Sequence, residues 1–299
     1  MISFFIPVYN YEKYIKESVA SIMDGNFEDG DELIIVNDGS TDNTAQTLEE
    51  LKVKYPEIKI VTHNENKGGA VARNTAIKNA KHETLFCLDA DNVLVSGSIK
   101  KLKQFMVDSG ADVASFQELH YFNKEGFTGK RRFKEEITLK DYLCTTEVPG
   151  VSGNYMFTKS SWSKAGGYPE GNWLDTWGFG FRQAMAGFKI MVMPNSFYYH
   201  RHGHNSYWKR EYKKGKVSLE ALKILIPFLD LIDRRDVNYI MGKGRYVWFE
   251  KLEKHPLKLC KRKKKIKGYV DTKELLKKKY PFLANVYRKI RKIAGKQNV

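Results

Sequence analysis

The chain of 299 residues contains little cysteine and no long apolar run. Its three cysteines, Cys87, Cys144 and Cys260, have neither the spacing of a closed zinc site nor that of a disulfide framework. No stretch approaches the roughly 20 apolar residues of a membrane-spanning helix. The first residues also lack the basic lead and cleavage site of a signal peptide. These absences argue against a disulfide scaffold and an integral membrane protein, and we expect a protein of the reducing cytoplasm.

Acidic residues are scarce at the end of the chain. Residues 251–299 contain 18 lysines and arginines against three acids, so they carry +15 of the total net charge of +16. Apolar residues recur there at helical spacing, at Leu283, Val286, Tyr287, Ile290 and Ile293. The pattern predicts a basic amphipathic helix that docks on an anionic membrane surface or packs on the rest of the protein, and nucleic acid is a less favoured partner.

What the first ninety residues do contain is a series of apolar runs that end in polar turns. Short strands are predicted within residues 2–10, where the strand stops at Pro7 and Asn10, and at 31–36, 58–62 and 84–88, with helices between them. Strand, turn and helix in alternation build a parallel sheet. The fold class is therefore predicted to be α/β.

The fourth run ends in Asp89-Ala90-Asp91-Asn92. Two carboxylates one residue apart at a strand end point to the same side, where ligands of open α/β sheets bind. Mg²⁺ or Mn²⁺ prefers such oxygen donors, supplemented by phosphate and water. By itself the tetrapeptide could also be a polar turn.

Paired glycines follow the third run, at Gly68 and Gly69, and Arg73 lies one helical turn further on. Glycine allows close approach of the backbone to a ligand, and an arginine at a helix start can hold a phosphate. The alternative is an ordinary helix start.

In order and spacing, Pro7–Asn10, Asn37–Asp42, Asn66–Asn74 and Leu88–Asp91 resemble the nucleotide-binding half of family-2 glycosyltransferases with the GT-A fold. The resemblance covers roughly residues 2–210. It implies a mixed, mostly parallel sheet flanked by helices, and a nucleotide-diphosphate sugar as substrate.

The resemblance also implies which residues bind that substrate. Asp38 would accept a hydrogen bond from the base, and Arg73 would lie near the diphosphate. Asp89 and Asp91 match the Asp-X-Asp motif that binds ribose and a divalent metal, Mn²⁺ or Mg²⁺, with Asp91 as the direct ligand. The complete implied set is Pro7, Tyr9, Asn10, Asp38, Asn66, Gly69, Arg73, Asp89, Ala90 and Asp91.

Transfer to a hydroxyl needs a general base. Many relatives carry an acidic pair where this chain has Asp175-Thr176, so only one carboxylate remains. Asp175 is the only carboxylate between Glu170 and Glu211, and this makes it the leading candidate. It could instead only cap a helix. Glu147 is the second candidate for the base.

Aromatic and histidine residues complete the predicted site. Trp173 and Trp177 flank Asp175 and could stack on an acceptor sugar, or they could belong to the core. Asn154 is also assigned to the acceptor side. His200 is the histidine expected near the metal, with His202 next, while His204 is expected in a solvated loop.

We therefore predict an inverting glycosyltransferase, with a UDP-sugar favoured as donor and a glycan or lipid-linked glycan of the bacterial surface as acceptor. The catalytic domain is placed at residues 1–212, divided near residue 115 into donor and acceptor sides, and a helical basic region at 213–299. Such an enzyme would be cytoplasmic, either free or peripheral on the inner face of the membrane. The alternatives are a nucleotidyltransferase, although Pro7–Asn10 lacks its Gly-rich loop, and a catalytically impaired sugar- or nucleic-acid-binding module.

Overall fold

The computed structural model describes residues 1–144, 153–203, 217–228 and 230–231. The strands are β1 (Ser3–Val8), β2 (Glu32–Asn37), β3 (Ile58–Thr62), β4 (Thr84–Cys87), β5 (Val113–Asn123), β6 (Gly126–Arg132), β7 (Glu136–Ile137), β8 (Tyr155–Thr158) and β9 (Ile190–Arg201). The helices are α1 (Ile15–Met23), α2 (Thr44–Lys54), α3 (Gly69–Asn79), α4 (Ser98–Asp108), α5 (Leu139–Cys144), α6 (Lys159–Lys164), α7 (Asp175–Met185) and α8 (Val217–Leu225), followed by a short 3₁₀ helix (Ile226–Phe228).

Within these residues the strands form one sheet in the order β3-β2-β1-β4-β8-β5-β9-β7, and β6 pairs with β5. The first four strands in this order are parallel, β8 is antiparallel to both of its neighbours, and β9 is again parallel to β5. The sheet is thus mixed and mostly parallel, as the sequence predicts.

Helices cover both faces of the sheet, which explains why its central strands read as continuous apolar runs. Phe4 and Ile6 of β1 belong to the core cluster that also contains residues of α1, α2 and α4. Phe5 faces the other way and contacts the ring of Phe157, which in turn packs edge-on against Phe179 of α7. This aromatic contact connects the first half of the chain to α7.

Pro7 lies inside a central strand, where a missing N–H group normally disrupts the sheet. Pro7 is tolerated because β1 pairs with β4 only from Ser3 to Phe5. At Pro7 no residue of β4 is paired with β1, so the missing N–H group breaks no hydrogen bond between these strands. The ladder between the two strands ends at this point. Since β1 and β4 are also where the strand order reverses, this is the place at which open α/β sheets bind ligands.

The chain divides into the compact unit Met1–Ile224 and a second unit, Leu225–Val299, of which only residues 225–228 and 230–231 are described. The predicted domain boundary at residue 212 and the predicted basic helix therefore lie outside the described residues, as do Glu147 and His204. Among the helices that are described, none has the length and apolar character needed to cross a membrane.

Candidate functional site

The polar turns predicted to bind a ligand follow the neighbouring strands β1, β2, β3 and β4, at the end of the sheet where the β1–β4 ladder stops. The turn after β1 is tied to the turn after β2, because the side-chain oxygen of Asn10 accepts a hydrogen bond from the Thr41 amide at 2.7 Å. Asn10 adopts a left-handed φ of 60° that favours this contact. Pro7 and Tyr9 lie beside it, half-buried.

Asp38 is fully buried and holds the loop that follows β3. Its carboxylate accepts hydrogen bonds from the backbone amides of Lys67 at 3.0 Å and Gly68 at 2.8 Å, and it contacts His63 Nδ1 at 2.6 Å. The other ring nitrogen of His63 lies 3.0 Å from the hydroxyl of Thr75. Asp38 thus positions the loop that contains Asn66, and its predicted contact with a base stays a prediction.

Sequence reasoning missed His63. The signal was available once the strands were aligned, because the β2–β3 register pairs Asn37 with Thr62 and so places the next residues, Asp38 and His63, side by side.

Arg73 stands at the centre of the site. It is buried on α3, and its two terminal nitrogens each donate to a different carboxylate, Nη1 to Asp175 Oδ2 and Nη2 to Asp89 Oδ1, both at 2.7 Å. Burial disfavours the charged guanidinium, but the charges of Asp175 and Asp89 outweigh this and hold the pKa of Arg73 well above its usual value. One cation therefore joins acids that are distant in the sequence.

Asp89 is further positioned by Asn154, which directly precedes β8 and is itself bonded to Tyr198 of β9. Its backbone amide donates to Asn154 Oδ1 at 2.6 Å, and Asn154 Nδ2 donates to the hydroxyl of Tyr198 at 2.9 Å. Gly153 has a φ of +86°, and a Cβ there would lie 2.6 Å from Asp89 Oδ2. Burial raises the pKa of Asp89, and so does the nearby charge of Asp91, against the opposing effect of Arg73.

The turn that carries Asp91 is held by the end of β9. The backbones of Val93 and Tyr199 exchange two hydrogen bonds, and Arg201 donates from Nε to the Asp91 carbonyl at 3.1 Å. Arg201 also ion-pairs with Glu17 of α1. The sequence pointed to His200, which is half-buried beside the ring of Tyr121, but it did not point to its neighbour Arg201.

Asp175 is the first residue of α7, where a negative charge is favoured by the helix dipole. Its Oδ1 accepts from the Thr176 amide at 2.7 Å and from the Thr176 hydroxyl at 3.2 Å, while Oδ2 accepts from Arg73. The contact with Arg73 spans 102 residues. Asp175 is therefore more than a local helix cap.

The residues assigned to the acceptor side lie at different depths. Trp177 is 1 % exposed and stacks on Phe181 with ring centroids 5.6 Å apart, and Asn154 is also 1 % exposed. In this structure neither side chain presents a surface to an acceptor. Of the two alternatives for Trp177, stacking on a sugar or packing in the core, the structure shows packing in the core. Trp173 is half-buried and keeps an accessible side.

The donor groups at the strand end suit a divalent metal that is shared with a substrate. Among the described residues no three His, Cys, Asp or Glu side chains come together as a protein-only metal cluster. Mg²⁺ and Mn²⁺ do not require one, because one or two carboxylates together with phosphate oxygens suffice. Asp91 and Asp89 fit that donor set. Cys87 does not, since burial raises the pKa of its thiol to about 12.

Gly69 has a steric role at the ion pairs. A Cβ at this position would lie 2.7 Å from Arg73 Nη1 and 3.0 Å from Asp175 Oδ2. We expect Gly69→Ala to lower the free energy of unfolding by roughly 1–3 kcal/mol, because the buried groups cannot move aside without breaking their bonds. Urea unfolding measures this. The loss should be smaller in an Arg73→Met background, and equal losses in both backgrounds would contradict the steric explanation.

Comparison with known sequences identifies the family. The model described as "Glycosyl transferase family 2" matches residues 3–167, more than half of the chain. The chain belongs to glycosyl transferase family 2. The matched range includes the turns after β1 to β4 and Arg73, and it ends before Asp175.

Two curated members of the family show how far the similarity extends. The glycosyltransferase GlyG of Streptococcus pneumoniae serotype 4 is 31 % identical over 167 residues, which cover 54 % of this chain and 53 % of GlyG. The poly(ribitol-phosphate) beta-glucosyltransferase of Bacillus spizizenii is 35 % identical over 136 residues, 45 % of this chain and 21 % of that protein. The chain thus spans about half or less of the length of these relatives.

Among solved structures, S. aureus TarS 1–349 in complex with UDP-GlcNAc matches with a TM-score of 0.60 and 22 % identity, covering 84 % of this chain and 79 % of that chain. This similarity confirms the predicted GT-A fold of the catalytic part. Of the predicted C-terminal region 213–299, only residues 217–228 and 230–231 are described.

Proposed function

We propose that the chain is an inverting glycosyltransferase that moves a sugar from a UDP-sugar to a hydroxyl of a glycan or lipid-linked glycan in bacterial surface polysaccharide synthesis. The observation that carries the proposal is the pair of 2.7 Å ion pairs through which Arg73 joins Asp89 of the donor side to Asp175 of the acceptor side. Membership of family 2 and the UDP-GlcNAc bound by TarS support the reaction class and the donor. The name of the Bacillus spizizenii relative supports a surface polymer as acceptor.

In the proposed step Asp175 takes the proton of the acceptor hydroxyl while the hydroxyl oxygen attacks the anomeric carbon and the bond to the nucleotide diphosphate breaks. The described site offers this one base and no separate nucleophile, so a single displacement with inversion is expected. Arg73 keeps Asp175 and Asp89 in place and adds positive charge near the departing diphosphate.

The proposed metal ligand is Asp91, with Asp89 and His200 as further predicted ligands. A bound Mn²⁺ or Mg²⁺ would act as a Lewis acid that offsets the negative charge on the leaving diphosphate. Asp91 suits this role because its backbone is held by Arg201. We also propose that the basic segment 251–299 brings the enzyme to an anionic membrane surface, where a lipid-linked acceptor would be found.

The donor site is tested by thermal unfolding with UDP, GDP, CDP and dTDP, each with and without Mn²⁺. At a hundredfold excess over Kd a ligand stabilises by about 2.7 kcal/mol, which for a domain of this size raises Tm by roughly 5–10 °C. We expect this rise with UDP and Mn²⁺, and its loss in Asp91→Ala.

A rise in Tm that Asp91→Ala retains would show that Asp91 is not the metal ligand. If another nucleotide, and not UDP, raises Tm, the donor is a sugar of that nucleotide. If no nucleotide stabilises the protein, the transferase proposal fails.

A further inference from the structure

The hairpin of β5 and β6, together with the end of β9, exposes a cluster of rings on one face; we call it the hairpin face. His120 stacks on Phe197 with ring centroids 4.0 Å apart and planes at 10°. Phe127 packs edge-on against His120 at 5.5 Å, and Tyr199 packs edge-on against Phe197 at 5.5 Å. Phe127 is 60 % exposed and Tyr199 38 %. Half of this aromatic cluster therefore faces solvent.

Among the described residues, β5 and β6 place two cations, Lys130 and Arg132, and one carboxylate, Glu118, on this face. Its carboxylate, Glu118, contacts Lys130 at 3.1 Å, His120 Nε2 at 2.9 Å and Arg132 at 3.8 Å. The side chains of Lys130 and Arg132 remain 55 % and 60 % exposed. Two accessible cations thus share one acid, and a negatively charged ligand would meet a net attraction.

Arg131 belongs to the opposite face. Side chains alternate along a strand, and the Arg131 guanidinium lies over the ring of Phe133, 5.0 Å from its centroid. Phe133 is part of the main core cluster. The three consecutive basic residues of β6 therefore lie on two faces: Lys130 and Arg132 on the hairpin face, and Arg131 on the opposite one.

The hairpin face adjoins the candidate site. Tyr199 is hydrogen-bonded through its backbone to Val93, two residues after Asp91. Phe122 lies next to Tyr199, with ring centroids 5.9 Å apart, and beneath the Arg201 guanidinium that holds the Asp91 turn. A polymer lying across the exposed rings would thus reach the turn that carries the proposed metal ligand.

We propose that the hairpin face binds the acceptor and that this acceptor is a glycan carrying phosphate groups. Sugar rings would stack on Phe127 and Tyr199, whose flat apolar surfaces match the apolar faces of sugars. Phosphates would pair with Lys130 and Arg132. Single-stranded nucleic acid also combines rings with phosphates, but a surface beside the donor site of a family-2 glycosyl transferase favours a glycan. This inference rests on the proposed function.

The test measures binding directly and needs no turnover. Affinity electrophoresis is run in gels containing poly(ribitol phosphate), dextran as a neutral glycan, or single-stranded oligo(dT). We expect retardation by poly(ribitol phosphate) that weakens with added salt. The double variant Lys130→Gln/Arg132→Gln should bind it about tenfold more weakly. Phe127→Ser should weaken binding about three- to tenfold.

Two variants serve as matched controls. Arg131→Gln removes one positive charge, half of what the double variant removes, from the opposite face of the same strand. Val53→Ser removes an exposed apolar side chain from α2, which packs beside β3 at the far edge of the sheet. Both should bind like the wild type, and circular dichroism checks that all variants are folded. Equal losses in Arg131→Gln and in the double variant would overturn the proposal.

Tighter binding of oligo(dT) than of poly(ribitol phosphate) would also overturn it, in favour of a nucleic-acid surface. The gel assay contains no nucleotide sugar, so it is independent of the UDP assay. If the wild-type protein does not bind poly(ribitol phosphate) but is stabilised by UDP, this inference alone is rejected. Failure of the UDP assay with intact polymer binding rejects the proposed function instead.

Discussion

Replacing Arg73 with methionine is expected to lower the free energy of unfolding by about 3–5 kcal/mol, the usual cost of leaving a buried charge without its partner. The side chain is buried and bonds to Asp89 and Asp175, so its removal leaves two acids facing each other without a cation. Methionine has a similar length, which keeps the cavity small. Urea unfolding at neutral pH measures the loss.

The pH dependence of this variant gives a second readout. Burial already raises the pKa of Asp89 in the wild type. Without Arg73, the ionised carboxylate of Asp89 becomes less favourable in the folded state, so the deficit should be largest at neutral pH and shrink as pH falls and Asp89 takes up a proton. A deficit that does not change with pH would mean that lost packing, and not lost charge, explains the result.

Arg73→Lys is the matched comparison, because it keeps the charge but not the two-armed shape of the guanidinium. We expect an intermediate stability, since one ammonium group on a shorter reach cannot bond both acids in the same way. Arg131→Met, which removes an arginine that is exposed on β6, should change stability little. A similar loss in Arg131→Met would contradict the role given to the buried ion pairs.

Replacing Asp175 with asparagine is expected to reduce kcat by about 10²–10⁴-fold, the range that general-base catalysis contributes. The amide has one oxygen and one NH₂ group, so it can keep the hydrogen bonds from Thr176 at the helix start but loses the one from Arg73, and it cannot take a proton from the acceptor. Stabilisation by UDP and Mn²⁺ should survive, because that readout depends on the donor side. Steady-state transfer and thermal unfolding together separate these effects.

The neighbouring threonine supplies the control. The sequence resemblance implies that Thr176 stands where a second acid is expected, and here its hydroxyl bonds to Asp175. Thr176→Val should lower kcat far less than Asp175→Asn does, because no proton passes through the hydroxyl. Wild-type kcat in Asp175→Asn would exclude Asp175 as the base. A wild-type protein that binds UDP but transfers nothing would favour the alternative of a binding module.

Local sequence was sufficient to place the residues that are proposed for the donor side. Asp89 and Asp91 were predicted at a strand end, and Arg73 in the first turns of a helix after paired glycines, and the structure places them there. These predictions rest on short-range patterns: apolar runs of strand length, polar turns and helical spacing. The fold class follows from the same alternation.

The contacts between these residues were beyond local reasoning. Arg73 bonds to Asp175 across 102 residues, Asp89 to Asn154 across 65, and Arg201 to Asp91 across 110. Burial could not be read from the sequence either. Trp177 is an aromatic residue that could stack on a sugar, but it lies in the core. Which of two interpretations applies to such a side chain depends on what packs against it.

The sequence by itself determined that this protein has a parallel α/β core with acids at its strand ends, and it indicated the family. Hydrophobic periodicity and turn chemistry act between neighbours along the chain, so they can be read without coordinates. Only the tertiary structure decided that one buried guanidinium holds both acids, that Asn154 supports Asp89, and that β6 divides its cations between two faces. Those outcomes depend on how distant strands and helices pack, because burial and ion pairing are properties of the folded neighbourhood and not of the residue.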